Sequence, residues 1–156
     1  MSTTGQIFKP STGQDESANQ RSHKRLSKLA GVRVYTPMDE VQLTQNRVSI
    51  AIYIESLKVL GVSASELSWV ISPQTLSYRK KKNEALTQQE SGRWLRAAKV
   101  HTFAKEVFGN QAKANQWLRK NRNQFGGQSA ASIIQAEPGA QLIEDTLNQI
   151  DAGYLA

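Results

Sequence analysis

The run Ser63-Ala64-Ser65-Glu66-Leu67-Ser68-Trp69-Val70-Ile71-Ser72-Pro73-Gln74-Thr75-Leu76-Ser77-Tyr78-Arg79-Lys80-Lys81-Lys82 decides how this chain is read. Ser63 to Glu66 has the form of a capping box, in which a serine hydroxyl and a carboxylate three residues later satisfy each other's backbone amides. Leu67, Val70 and Ile71 then form the buried stripe of a short helix. Ser72-Pro73 starts a second helix almost at once, serine as N-cap and proline at the first helical position, where its missing N–H is not needed. A short helix, a tight turn and a second helix with one apolar anchor, Leu76, match a helix-turn-helix layout. In that layout Gln74, Thr75, Ser77 and Tyr78 face base edges or the adjoining phosphates, while Arg79, Lys80, Lys81 and Lys82 carry charge to the DNA backbone. The same run also reads as an exposed helix kept soluble by four successive basic residues.

Upstream, Val48, Ala51, Ile52, Tyr53, Leu57 and Leu60 fall near helical spacing and Gly61 closes the run, which predicts a core helix. Thr36-Pro37 marks the start of the folded part, and Gly31 to Tyr35 is a short strand or an extended connector. Met1 to about Lys28 is rich in Ser, Thr, Gln and Gly, has few apolar residues and ends in Arg21, Lys24, Arg25 and Lys28. That composition predicts a disordered basic arm over residues 1–35.

Downstream, Thr87-Gln88-Gln89-Glu90 is another capping box. It opens a long helix to about Phe108, packed through Ser91, Trp94, Leu95, Ala98 and Phe103. Gly109 ends it, Asn110 caps the next helix, and Ala114, Trp117 and Leu118 form that helix's apolar face. Gly126-Gly127 lies in no phosphate-binding frame and is expected to serve close packing or positive φ angles. Ser129 caps a short helix, and Glu137-Pro138-Gly139 introduces the last one. There Ile143, Leu147 and Ile150 form a stripe with Glu144, Asp145, Asn148 and Asp151 opposite. Gly153 suits a left-handed helix end, and Tyr154, Leu155 and Ala156 follow. This end reads either as a tail folded back on its own helix or as a plug for a partner's pocket.

The totals narrow the classes. The 156 residues hold no cysteine, which removes disulfides, thiol catalysis and the usual zinc cages. His23 and His101 are the only histidines and stand far apart. No nucleophile and base pair, metal spacing or nucleotide loop can be assembled, so neither an enzyme nor a cofactor or metal site is expected. No apolar run suits a membrane span or a signal peptide, which points to a cytoplasmic protein. Residues 1–100 hold 15 Lys and Arg against 8 Asp and Glu, whereas residues 101–156 hold 5 of each, so the whole net charge of +7 lies in the first part. A basic part suits a polyanion such as DNA; a neutral part has no such bias.

The ordered set Ile71 to Leu76, Leu86 to Ser91 with Arg93 to Leu95, Ala104 to Gly109, Ala114 to Leu118, Phe125 to Ser129, and Gly139-Ala140 through Leu147, Ile150 and Gly153 resembles the Xre/MbcA/ParS antitoxins. The resemblance covers roughly residues 36–156. It implies an all-α chain with an Xre-like helix-turn-helix domain over residues 36–100 and a small helical toxin-binding domain over residues 101–156. It further implies a cognate RES-domain toxin that consumes NAD, neutralised by an antitoxin end that enters its active-site cleft. By position the toxin contacts map onto Asp151, Gly153, Tyr154, Leu155 and Ala156, and the contacts to operator DNA onto Gln74 to Lys82. Autoregulation of the operon is implied as well. The chain departs from the family pattern at Ala130, Gln135 and Ala136, and has Lys80 where the family's basic run carries its second basic residue. A homodimer within a toxin–antitoxin assembly is expected, since helix-turn-helix proteins commonly match two-fold operators. The alternative is a stand-alone transcription regulator whose C-terminal half only dimerises.

Overall fold

A computed structural model describes residues 16–154. They form eight α-helices and one two-stranded ribbon: α1 (Ala18–Ala30), α2 (Pro37–Asn46), α3 (Ile50–Leu60), α4 (Pro73–Lys82), α5 (Gln88–Phe108), α6 (Gln111–Arg119), β1 (Asn121–Arg122), β2 (Gln128–Ser129), α7 (Ala130–Ile133) and α8 (Glu137–Asp151). The chain is all-α in class. The strands pair antiparallel, Asn121 opposite Ser129 and Arg122 opposite Gln128. The turn between them uses Gly126 and Gly127, both at positive φ.

Helix α5 is the axis of the molecule. Thr87 and Glu90 form the capping box that starts it, and Gly109, in a left-handed conformation, ends it. Ser91, Trp94, Leu95, Ala98 and Phe103 are all buried on it, as their spacing predicts. Two apolar clusters share this helix. One gathers Leu26, Val34, Leu43, Tyr53, Leu67, Val70, Leu86 and Trp94; the other gathers Val100, Phe103, Leu118, Phe125, Ile134, Ile143 and Leu147. They change over between Ala98 and Val100, within an unbroken helix, and Trp69 packs against both. Burying one large aliphatic side chain contributes about 1.5–3 kcal/mol, so either cluster alone far exceeds any single polar contact in the molecule. Where Trp94 crosses the first cluster, its indole N–H donates to Ser56 Oγ at 3.0 Å, which satisfies both buried polar groups.

The expected arm does not extend through Lys28. Residues 1–15 lie outside the described residues, but Ala18–Ala30 is a helix with a complete Ser17–Gln20 capping box and Gly31 at its left-handed end. Its polar composition conceals a one-sided stripe, Ala18, Ser22, Leu26 and Ala30, spaced four apart and buried along α5. Arg21 and Arg25 both clasp Glu106 on α5. Burial alone would raise the Glu106 carboxyl, but hydrogen bonds from Arg25 and Arg21 outweigh it and hold that carboxyl below its usual range.

Three smaller expectations also change. Residues 63–71 make successive turns rather than a regular helix. Leu67 N donates to Ser63 O at 3.3 Å, Ser68 N to Ser65 O at 3.1 Å and Val70 N to Leu67 O at 2.9 Å. The capping bonds between Ser63 and Glu66 form nonetheless. Ser72 is extended, as the residue before Pro73 must be. On α3, Ala51 faces solvent, and Val48 is buried but precedes the helix, whose N-cap is Ser49. On α8, Glu144 is not on the open face: it points toward Lys99, with its side chain only 25% exposed.

Candidate functional site

Helix α4 carries every residue expected to read DNA. Ser72 Oγ accepts from Thr75 N at 3.1 Å and donates to Thr75 Oγ1 at 2.9 Å, which fixes the first turn. The last turn closes on Asn83 in the left-handed conformation, a geometry asparagine tolerates better than most residues. Between these caps no residue is fully buried; Leu76 packs partly against the first cluster. Gln74, Ser77, Tyr78, Lys80, Lys81 and Lys82 are exposed. Thr75 is half-buried, its hydroxyl engaged by Ser72.

Arg79 departs from the expected set. Its side chain is only 14% exposed, pairs with Glu90 and donates to Ala85 O at 3.4 Å. Glu90 Oε1 also accepts from Thr87 N at 2.9 Å. One carboxylate therefore starts α5 and holds the last turn of α4 against it. The four-residue basic run thus divides: Arg79 fastens the helix, and the three lysines remain outside, with no ion pair to a described residue. The sequence held a signal for this in the Glu90 of the capping box, but a capping role already explained that residue.

The second set of expected contacts follows α8. Ala140, Ile143, Thr146 and Leu147 bury one face of that helix against α5 and α7, and Ile150 is half-buried. At Gly139 a Cβ would run into the backbone carbonyl of Ile133, so glycine is required for α7 and α8 to meet this closely. The helix ends in two nested bonds: Tyr154 N donates to Gln149 O at 2.9 Å and Gly153 N to Ile150 O at 3.0 Å. With Gly153 at φ 88°, this is a Schellman end, in which the left-handed residue turns the chain off the helix axis. Asp151 and Gly153 are exposed and Tyr154 is 81% exposed, the most open large apolar side chain among the described residues. Leu155 and Ala156 lie outside the described residues. Of the two readings of this end, Tyr154 does not fold back onto α8.

Between the two regions, Lys99 on α5 reaches Glu40 of α2 at 3.1 Å and Glu144 of α8 at 3.9 Å. Burial pushes the Glu144 carboxyl up, and Lys99 only partly opposes this. His101 is buried on the same helix with Nδ1 2.8 Å from Ala97 O, and burial pushes its pKa down. Among the described residues no cluster of three or more His, Asp or Glu is placed to hold a metal ion, and no helix is long and apolar enough to cross a membrane.

The comparisons with known proteins fall on this frame. Residues 103–153 match the model of the antitoxin Xre/MbcA/ParS C-terminal toxin-binding domain, a segment that begins in the second half of α5 and closes at Gly153. Over 89 residues the chain is 34% identical to a protein of Pseudomonas putida named antitoxin Xre, a match that covers 57% of this chain and 56% of that relative. The alignment thus spans little more than half the length of the relative. Residues 103–153 are thus similar to the toxin-binding domain of the Xre/MbcA/ParS antitoxins, and the longer alignment is to a protein that carries the antitoxin name.

Proposed function

We propose that this chain is the antitoxin of a toxin–antitoxin pair, that it neutralises a RES-domain toxin by placing the segment after α8 in the toxin's NAD-binding cleft, and that it represses its own operon through α4. The observation that carries the first part is the exposed Tyr154, turned off the end of α8 by Gly153 at the border of the matched toxin-binding segment. An exposed aromatic beside Asp151, at the end of a helix anchored by Ile143 and Leu147, is a rigidly mounted apolar probe. Withdrawing such a ring from water on binding contributes about 1.5–3 kcal/mol, which corresponds to roughly one to two decades of affinity. Mounting on a packed helix lowers the ordering cost that a loose tail would bring.

The DNA part is supported by the exposed polar and basic face of α4 and by the placement of the excess positive charge in residues 1–100. Gln74, Ser77 and Tyr78 near the N-terminal half would meet bases, and Lys80, Lys81 and Lys82 would meet phosphates. Thr75 would contribute through its methyl or through a hydroxyl shared with Ser72. A pair of chains would present two such helices to a two-fold operator.

Co-expression tests the first part. Cells carrying the neighbouring toxin gene should survive with the wild-type chain and lose protection with Tyr154→Ala or with a chain ending at Gly153, although both variants fold. Full protection by the chain ending at Gly153 would exclude the insertion reading. Gel-shift experiments on the upstream DNA test the second part, and a regulator without a toxin partner would be recovered alone when purified from cells that express both genes.

A further inference from the structure

Two side chains of α6 reach out of the matched toxin-binding segment and into the other half of the molecule. Helix α3, like every helix, ends with carbonyls that lack partners of their own. Asn115 Nδ2 donates to Leu60 O at 2.8 Å and to Gly61 O at 3.2 Å, and Arg119 Nη2 donates to Gly61 O at 2.9 Å. Asn115 is buried and is held in turn by Gln111, whose Nε2 donates to its Oδ1 at 2.9 Å. Arg119 continues as a fork onto Glu66, with Nε to Oε2 at 2.8 Å and Nη2 to Oε1 at 3.0 Å. The same carboxylate accepts from Ser63 N at 3.1 Å, and hydrogen bonds from Arg119 hold its pKa below the ordinary range. Glu66 thus closes the turns of residues 63–71, which bring Val70 and Ile71 to the core and Ser72 to its place as the N-cap of α4.

We propose that Asn115 and Arg119 are positioning residues for α4, so that the C-terminal domain sets the affinity for DNA by holding the ground on which the reading helix stands. The proposal rests on the reading of α4 as the DNA-binding element. The turns of residues 63–71 form no regular helix and are tied to the core by Leu67, Val70 and Ile71 at one end and to α6 through Glu66 at the other, while α4 has no fully buried residue. Their placement comes from neighbours, and α6 is the neighbour that belongs to the other domain. Coupling of this kind is reciprocal: whatever displaces α6 on binding weakens the hold on DNA, and DNA favours the undisplaced α6 by the same factor.

The test measures binding of the purified full chain to a duplex taken from immediately upstream of its own reading frame, with a scrambled duplex of the same length as control. The variants are Asn115→Ala, Arg119→Gln, Glu66→Gln and the Arg119→Gln/Glu66→Gln double. Asn115→Ala is expected to weaken binding about tenfold, and each of the other two singles about threefold. The double should be weakened no more than the worse single, because both remove one contact. Amide hydrogen exchange over residues 63–71 should quicken, while the salt dependence keeps its wild-type slope because the three lysines of α4 are untouched. The signs separate positioning from bulk charge: loss of a cation and loss of an anion act in opposite directions electrostatically, whereas positioning weakens binding in both. Opposite signs, or wild-type affinity alongside faster exchange at residues 63–71, would overturn the proposal. Should Asn115→Ala fail to fold, the Arg119 and Glu66 variants, at a half-exposed pair, carry the test alone. A wild-type chain that shifts neither duplex would overturn the DNA reading itself, and the proposal with it.

Discussion

Helices α4 and α8 both carry exposed side chains and both end in a left-handed residue, yet they are held by opposite means. Helix α8 lays Ile143 and Leu147, each without measurable exposure, into an apolar cluster and needs no side-chain cap at its N-terminus. Helix α4 buries nothing fully and depends on the Ser72 cap, the Asn83 end and the Arg79–Glu90 pair. Apolar burial is strong and non-directional; polar fastenings are individually modest but fix orientation. A helix as polar and basic as α4 has few apolar positions to offer the core, so polar contacts do the holding.

This contrast can be broken or sharpened by mutation. The largest effect is expected for Leu147→Ala, which should destabilise the fold by about 2–5 kcal/mol in denaturant titration, while Leu76→Ala on α4, only partly buried, should fall well below that. Equal losses would mean that α4 is held by burial after all. Next comes Glu90→Ala, which strands a mostly buried Arg79 and removes the start of α5. It should lower stability by about 1–3 kcal/mol, and its effect should exceed that of replacing any one of Lys80, Lys81 or Lys82. Gly153→Ala forces a Cβ into a left-handed backbone and should cost about 1–2 kcal/mol at the end of α8, seen as faster exchange of the Gly153 and Tyr154 amides. Smallest in stability is Lys80→Ala/Lys81→Ala/Lys82→Ala, within about 0.5 kcal/mol of wild type by thermal melting. It should nonetheless flatten the salt dependence of DNA binding by roughly 0.9 per lost phosphate contact.

Acid should act on the shared helix between these regions. The folded-state pKa of His101 is depressed by burial, so the unfolded chain takes up a proton first. Stability from this group is therefore complete above its ordinary value, near 6.5, and falls as the pH drops below it. Glu106, also depressed, acts in the same direction further into the acid range. A His101→Gln variant should lose the first part of this decline and keep the second, measured as the melting temperature from pH 7 to pH 3.

Much of the C-terminal half was legible because its signals are local. Capping boxes, terminal glycines and the Ile143–Leu147 spacing need only a few neighbouring residues, and all of these recur in the structure. The N-terminal helix was not legible, because its stripe of Ala18, Ser22, Leu26 and Ala30 is too small and too polar to register as apolar until α5 lies against it. The two-residue strands β1 and β2 escaped for a similar reason: a ribbon so short has no periodicity.

The sequence by itself determined the ends of α4 and α5, the excess of basic charge in residues 1–100 and the lone apolar anchor of α4, since caps, net charge and spacing are properties of adjacent residues. Only the tertiary structure decided which residues of each run are free. It turned Arg79 inward to Glu90 and Glu144 toward Lys99, set Asn115 and Arg119 on the end of α3, and left Tyr154 in solvent. The contacts among those outcomes join residues between 11 and 58 positions apart in the chain. Residues so far apart become neighbours only when the helices pack, because each ion pair or cap requires its two groups within hydrogen-bonding distance.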